Sequence, residues 1–380
     1  MPRAFVVHPS NEWYGADQML WVWARVLRDS GWQVEVALPT DVDYDGELGR
    51  RLADLGCDVR EWDLPILRRR DLTPKRIWRL IARVLKSWIA VRKAARDADA
   101  VLFSTAATAL SMPAVMGLRA RRAVHVQESF REGLQARVLS RLLAFTCDDI
   151  IGCSGAVRDA MVGAARAKCE VLPNGIEDVE PLGLAKAQPP VILLVARIQS
   201  WKGQDMAIRM LADPALRLHE SQPVLDLVGA EPPGEEGVYI PALRELATKL
   251  GVADRVHFLG QRSDVRELVS RASVVLNVSQ RPDPFPLSTL EAMREGAAIV
   301  AGRLGGLPEM LADAGALADP HSEGALAAEA ATLLSDVGSA RLLGGRARAR
   351  WETNYSAVVH ETRLRALFAR WASAAEGLGS

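Results

Sequence analysis

Two carboxylates in the second half of the chain have the types and spacing for site chemistry. They stand in R281-P-D-P-F-P-L-S-T-L-E-A-M-R-E-G296, with Asp283 between two prolines and Glu291 at the start of a helical pattern. Ser288-x-x-Glu291 matches a capping box and Gly296 a helix end, so one complete reading makes Asp283 a turn acid and Glu291 a cap. The other reading uses the same helix start as a site. Its backbone N–H groups would hold an anion while the carboxylates face sugar hydroxyls. Upstream, V195-A-R-I-Q-S-W-K-G-Q204 places Arg197 and Lys202 after an apolar run, with Gly203 opening the next helix. A planar guanidinium fork and a point charge together suit a diphosphate, although two surface cations would look the same. In H8-P-S-N-E-W-Y-G-A-D-Q18, Gly15 would let backbone approach a ligand at a helix start. In A123-V-H-V-Q-E-S129, His125 is either a satisfied core histidine or a site residue able to change charge near neutrality.

The elements that must position these groups are short apolar strands alternating with helical patterns. Strand runs fall at 4–7, 34–38, 101–103, 123–126 and 150–153. A second set falls at 191–196, 224–228, 256–259, 274–278 and 297–301, with helical patterns at 16–29, 204–211, 242–250 and 264–271. Such alternation predicts parallel sheets covered on both faces. The runs exceed one ordinary open sheet, so the class is α/β with two Rossmann-like domains whose sheets face across a cleft. The boundaries read as domain 1–176, linker 177–190, domain 191–356, and a last helix at 357–380. Ligands in such sheets bind at the carboxyl ends of strands.

With 380 residues, 49% apolar and 25% charged, the chain can bury full cores. Residues 1–175 carry 26 basic and 21 acidic side chains and residues 176–380 carry 21 and 26, which argues against nucleic acid as a partner. The four cysteines have no scaffold spacing, and the apolar run after Met1 is too short for a leader, so a cytoplasmic location is expected. The uncharged stretch 100–118 contains Ser104, Thr105, Thr108, Ser111 and Pro113, and reads as strand, loop and helix rather than a membrane span. There is no G-x-G-x-x-G for a dinucleotide, no P-loop, no H-E-x-x-H and no G-x-S-x-G. Asp41, Asp43 and Asp45 alternate after a strand, which is a surface acidic turn or a metal–diphosphate site; no metal site is predicted.

The order of these motifs is more specific than any one of them. A glycine turn follows the first strand, then come a mid-domain histidine, V171-L-P-N-G-I-E177, R197-I-Q-S-W-K-G203, D283-P-F-P-L-S-T-L-E-A-M293 and G305-G-L-P-E309. In this order the chain resembles the GT-B glycosyltransferases of family 4 over nearly its whole length. The resemblance implies a retaining transferase that takes a sugar from a nucleotide-diphosphate sugar without a metal or other cofactor, and a last helix, 357–380, that crosses back to the first domain. By the same resemblance Arg197 and Lys202 clamp the diphosphate and Glu291 holds the ribose. Asp283 contacts the transferred sugar or its developing positive charge, and the amides of Phe285 and Leu287 bind the diphosphate or sugar. Gly15 approaches the diphosphate from the first domain, and His125 lines the sugar side. The chain departs from the family where Asp283 replaces a Glu, Pro286 a Gly, Y14-G-A-D17 a double glycine, and Gln127 a His or Arg.

A final stretch, residues 75–96, holds eight basic residues and no acid. At helical spacing Lys75, Arg76, Arg79, Arg83, Lys86 and Lys93 fall on one face, with Ile77, Leu80, Ile81, Val84, Leu85 and Trp88 on the other. Either the apolar side covers the sheet and the basic side is solvated, or the basic side meets an anionic membrane. The second reading takes Arg76, Arg79, Arg83 and Lys86 as membrane-face candidates. It places the protein peripherally on the inner face of the plasma membrane, with a glycan or lipid-linked acceptor in envelope or extracellular polysaccharide synthesis. Two rival functions are a sugar-nucleotide epimerase of the same fold and a membrane-bound scaffold whose site has decayed.

Overall fold

Apolar runs of four to seven residues, too short for helices, become strands buried on both faces. In the computed structural model all residues are described except 43, 67–73, 131–132, 233–234 and 380, and the side chains of 74–80 and 376–379 are also left undescribed. The chain forms two compact units. One comprises Met1–Asn174 with His360–Ser380, the other Gly175–Val359.

The first unit is a seven-stranded parallel sheet. Its strands are β1 (Arg3–Val7), β2 (Gln33–Pro39), β3 (Asp58–Trp62), β4 (Ala100–Phe103), β5 (Arg121–Val126), β6 (Asp149–Gly152) and β7 (Cys169–Val171), in the order β3-β2-β1-β4-β5-β6-β7. The connections through α1 (Gly15–Asp29) and α2 (Glu47–Asp54) run one way along the sheet. Those through α3 (Pro74–Ala94), the 3₁₀ segment Ala106–Val115 and α4 (Leu134–Thr146) run the other way. Because such crossovers are right-handed, the two sets lie on opposite faces. The helix Ala357–Gly379 completes the α1 face: Leu364, Phe368 and Trp371 share one buried cluster with Trp23, Ala123, Ile151 and Leu172. Trp371 donates its indole N–H to Asp149 at 2.9 Å, and Arg25 pairs with Glu361 at 2.5 Å.

The second unit is a six-stranded parallel sheet of β8 (Val191–Val195), β9 (Val224–Val228), β10 (Val256–Gly260), β11 (Val274–Asn277), β12 (Ile299–Gly302) and β13 (Ala316–Ala318), ordered β10-β9-β8-β11-β12-β13. Strands β3, β7 and β13, absent from the sequence reading, all lie at sheet edges. β3 carries Asp58, Arg60 and Glu61, and β7 and β13 are only three residues long, so none offers the longer apolar run of the inner strands. Residues 177–190 are irregular but tied to the second unit rather than free. The Leu182 amide donates to Glu295 and the Leu184 amide to the Ser270 hydroxyl, each at 3.0 Å, and the Ala187 amide donates to the Arg271 carbonyl at 3.0 Å.

The basic helix is oriented differently from either sequence reading. Among the described residues of α3, the buried ones are Ser87 and Val91. Trp88 donates to the Leu110 carbonyl at 2.6 Å, and Arg92 to those of Ala114 and Met116 at 2.9 Å. These bonds to the 3₁₀ segment fix the helix rotation. Ile81 and Leu85, predicted to be inward, are therefore exposed. Of the membrane-face candidates, Lys86 is exposed and Arg83 is in an ion pair with Asp63 at 2.8 Å, while the side chains of Arg76 and Arg79 lie outside the described residues. Truncating Trp371, which is 1% exposed, removes the largest side chain that the closing helix inserts. Trp371→Ala is expected to cost about 3–5 kcal/mol of stability in chemical denaturation.

Candidate functional site

Each sheet has one place where the chain leaves its centre in both directions. In the second unit it lies between β8 and β11, and their following loops carry Lys202 and Asp283. The two side chains meet there, with Lys202 Nζ 2.6 Å from Asp283 Oδ2 and both largely buried. Lys202 also lies over the Trp201 ring at 4.2 Å. Asp283 is therefore not a surface turn acid. Its carbonyl accepts the Gly306 amide at 2.9 Å, and Gly305 (φ +62°) packs so closely that a Cβ there would lie 2.4 Å from that carbonyl oxygen. Only a glycine at 305 permits this approach. Gly203 (φ +83°) does the same on the lysine side, where a Cβ would lie 2.1 Å from the Val278 carbonyl oxygen. Two backbone crossings, one per loop, thus set the ion pair. Arg197 sits on the same β8 loop, exposed, and its carbonyl accepts from the Gln204 side chain at 2.9 Å.

The helix after β11 spans Leu287–Arg294, with Pro286 as its N-cap and no side-chain capping bond. This corrects the capping-box reading. Proline's fixed φ starts the helix before Ser288, which leaves Ser288 and Glu291 inside it rather than at its cap. Phe285 is buried edge-on against Tyr355, with ring centroids 5.5 Å apart, and anchors the turn. A buried chain from Ser279 to Asn277 to Thr289, at 3.1 and 2.9 Å, ties the helix to the end of β11. Among the described residues neither the Phe285 nor the Leu287 amide has a backbone partner. The half-buried Glu291 carboxyl has no hydrogen-bond partner there either. Burial pushes its pKa up, with the Arg294 charge opposing. A partly desolvated carboxylate without donors is costly unless something else supplies them.

In the first unit the corresponding place lies between β1 and β4. His8 follows β1 and Ser104 follows β4. His8 Nδ1 lies 2.8 Å from Ser104 Oγ, and its Nε2 lies 2.8 Å from Asp17 Oδ1. All three are buried, so the trio pins the edge rather than reaching a substrate. Asp17 also accepts the Tyr14 amide at 2.9 Å, closing the first turn of α1, which Gly15 opens. The sequence reading quoted His8 and Asp17 in one motif but did not pair them, and Ser104 lies 96 positions from His8.

His125 is a correction. It shares the face of β5 that carries Ala123, and its ring stacks on Trp23 at 4.5 Å, inside the core rather than at the sheet's edge. Burial, with smaller contributions from His360 and His8, pushes its pKa down to about 3. The edge positions beyond β5 belong instead to Gln127, which donates to the Ser104 carbonyl at 3.3 Å, and Glu128, which accepts the Ala106 amide at 3.1 Å. Among the described residues no group of three or more His, Cys, Asp or Glu side chains could hold a metal. Asp41 accepts from Tyr44 at 2.9 Å and Asp45 from the Glu47 amide at 2.9 Å, while Asp43 lies outside the described residues.

Two tandem parallel-sheet domains, the second with a charged pair at its switch point, define the GT-B class. The family model Glycosyltransferase Family 4 matches residues 13–180, and Glycosyl transferases group 1 matches residues 178–350. The chain belongs to this family of GT-B glycosyltransferases. It is similar to the D-inositol 3-phosphate glycosyltransferase of Nocardia farcinica, at 31% identity over 233 residues, 57% of this chain and 48% of that protein. The same enzyme of Corynebacterium efficiens is 32% identical over 182 residues, 47% of this chain and 42% of that protein. The matches span about half the length of these relatives. Among solved structures it is similar in fold to Anabaena Alr3699/HepE in complex with UDP, with a TM-score of 0.80 at 24% identity, covering 97% of this chain and 100% of that one. A complex of the same protein with UDP-glucose gives a TM-score of 0.78 at 23% identity, covering 97% and 99%.

Two buried imidazoles make the first unit acid-sensitive. His125 is held near 3, and burial pushes His360 down to about 4. Both are neutral in the fold but titrate near about 6.5 when unfolded. Their contribution is fully present above that value and is lost as pH falls below it. Thermal unfolding is expected to shift down between pH 7 and pH 5, and His125→Asn is expected to shrink that shift.

Proposed function

We propose that the protein transfers a sugar from a uridine-diphosphate sugar to an acceptor hydroxyl with retention of anomeric configuration. The observation that carries this reading is the Lys202–Asp283 pair at the β8–β11 switch point, beside a helix start whose first amides and Glu291 carboxyl have no hydrogen-bond partner among the described residues. The UDP and UDP-glucose held by the Anabaena structures support the choice of nucleotide. In the proposed step the bond from the sugar's anomeric carbon to the diphosphate breaks. The acceptor oxygen bonds to the same face of that carbon, and the acceptor proton passes to the leaving phosphate oxygen. Lys202 and Arg197 stabilise the leaving diphosphate, joined by the amides of Phe285 and Leu287 at the helix N-terminus. These groups supply the positive charge that a metal ion would otherwise bring, so turnover should survive a chelator.

Asp283, held against Lys202, faces the transferred sugar and its developing positive charge. Glu291 accepts the ribose hydroxyls, for which it must be ionised. Because burial raises its pKa, nucleotide affinity should fall at a higher pH than for an ordinary glutamate. The acceptor proposed is a glycan or lipid-linked glycan of envelope or extracellular polysaccharide synthesis, met at the cytoplasmic side of the membrane.

Calorimetry with UDP and turnover with a panel of UDP-sugars test the assignment. Lys202→Ala should weaken every donor alike and lower turnover roughly 10²–10³-fold. Asp283→Asn should lower turnover while leaving UDP affinity within a few-fold. Glu291→Gln should weaken UDP and flatten its pH dependence. Full turnover in Asp283→Asn would remove that residue from the chemistry.

A further inference from the structure

The two faces of the first sheet are finished differently. The α1 face is sealed by the helix Ala357–Gly379. The opposite face carries α3 and α4, both packed on the 3₁₀ segment Ala106–Val115, and α4 is also flanked by the short helix Gly163–Lys168. On α3, Ile81, Leu85 and Ile89 recur at helical spacing and are 43%, 56% and 74% exposed. On α4, Leu134, Val138 and Phe145 form a second such stripe, at 71%, 57% and 71%. Large apolar side chains exposed at helical spacing on two helices of one sheet face point to an interaction site.

The charge on the two helices is of one sign. Neither α3 nor α4 contains an acidic residue. Lys86 and Lys93 flank the α3 stripe, and Arg137 and Arg141 lie beside the α4 stripe, all exposed. Among the described residues, three acids near these helices are already paired. Asp63 is bonded to Arg83, Asp148 to Arg122 at 2.6 Å, and Asp159 to Arg158 and Arg166.

We infer that the α3–α4 face is a docking surface for an anionic lipid bilayer. The two apolar stripes enter the interface and the flanking cations lie among the headgroups. A second copy of the chain fits less well. A two-fold contact would set this face against itself and bring like charges together. A bilayer with anionic headgroups complements both features at once. Among the described residues no helix is long and apolar enough to cross a membrane, and the contact inferred here is a surface one. It does not depend on the transferase reading. If that reading holds as well, the docked first unit would meet an acceptor carried in the same bilayer.

The test uses the full chain with no donor or acceptor present, so its outcome is separate from any loss of transfer activity. The protein is sedimented with phosphatidylglycerol vesicles and with phosphatidylcholine vesicles, at low and raised salt. Wild type is expected to pellet with phosphatidylglycerol and to be released by salt, which screens surface charge. Phe145→Glu and Leu85→Glu should each weaken binding about tenfold, given the usual worth of one buried large apolar side chain. Paired Lys86→Glu and Arg141→Glu should erase the preference for phosphatidylglycerol. These positions are exposed, so unchanged melting temperatures would confirm that the variants fold. Failure of wild type to pellet with phosphatidylglycerol overturns the inference, as does equal pelleting by all variants. A wild-type dimer that Phe145→Glu dissociates, without vesicle binding, assigns the face to a second copy instead.

Discussion

The constraint on which the molecule depends is the handedness of its crossovers. A parallel sheet must be covered on both faces, and right-handed connections can do this only if the chain leaves the sheet's centre in both directions. Two neighbouring strands then send their following loops to opposite sides, and a crevice opens between the loops. In the first unit His8 and Ser104 close that crevice with a buried hydrogen bond. In the second unit Lys202 and Asp283 occupy it with a charged pair. The same geometric necessity thus yields a pinned edge in one sheet and a candidate site in the other. What separates them is how far the groups are withdrawn from solvent.

The charged pair owes its place to glycines more than to its own attraction. Its two loops run where a side chain at 203 or 305 would collide with backbone. The carboxylate and ammonium are therefore delivered by the main chain. The helix that follows is likewise set by Phe285, Pro286 and the Asn277–Thr289 bond. Rigid delivery of this kind lets a site hold a partly desolvated carboxylate such as Glu291 with the charge of Arg294 nearby and no hydrogen-bond donor among the described residues.

The strands that are buried on both faces were legible in the sequence, because burial imposes a continuous apolar run. Of the edge strands β10 was legible, while β3 was hidden by its charged residues and β7 and β13 by their length of three residues. For the site, the motif order pointed to the right loops but could not say which side chains meet. Lys202 and Asp283 are 81 positions apart, and nothing local couples them. Periodicity misled in two places. Ser288-x-x-Glu291 has capping-box spacing, but the neighbouring proline moved the helix start. In α3 the apolar arc of the sequence was not the buried arc, because bonds from Trp88 and Arg92 to carbonyls fixed the rotation. His125 had the composition of a site residue, and only its strand's alternation placed it against Trp23.

The closing helix also affects the order in which the protein can be made. The first unit's own strands are finished at Val171, yet its apolar α1 face is completed by Leu364, Phe368 and Trp371. During synthesis that face must wait, uncovered, while the whole second unit emerges. Nascent first units therefore carry exposed apolar surface for the time needed to translate nearly half the protein, a window in which chaperone engagement or misassembly competes with folding.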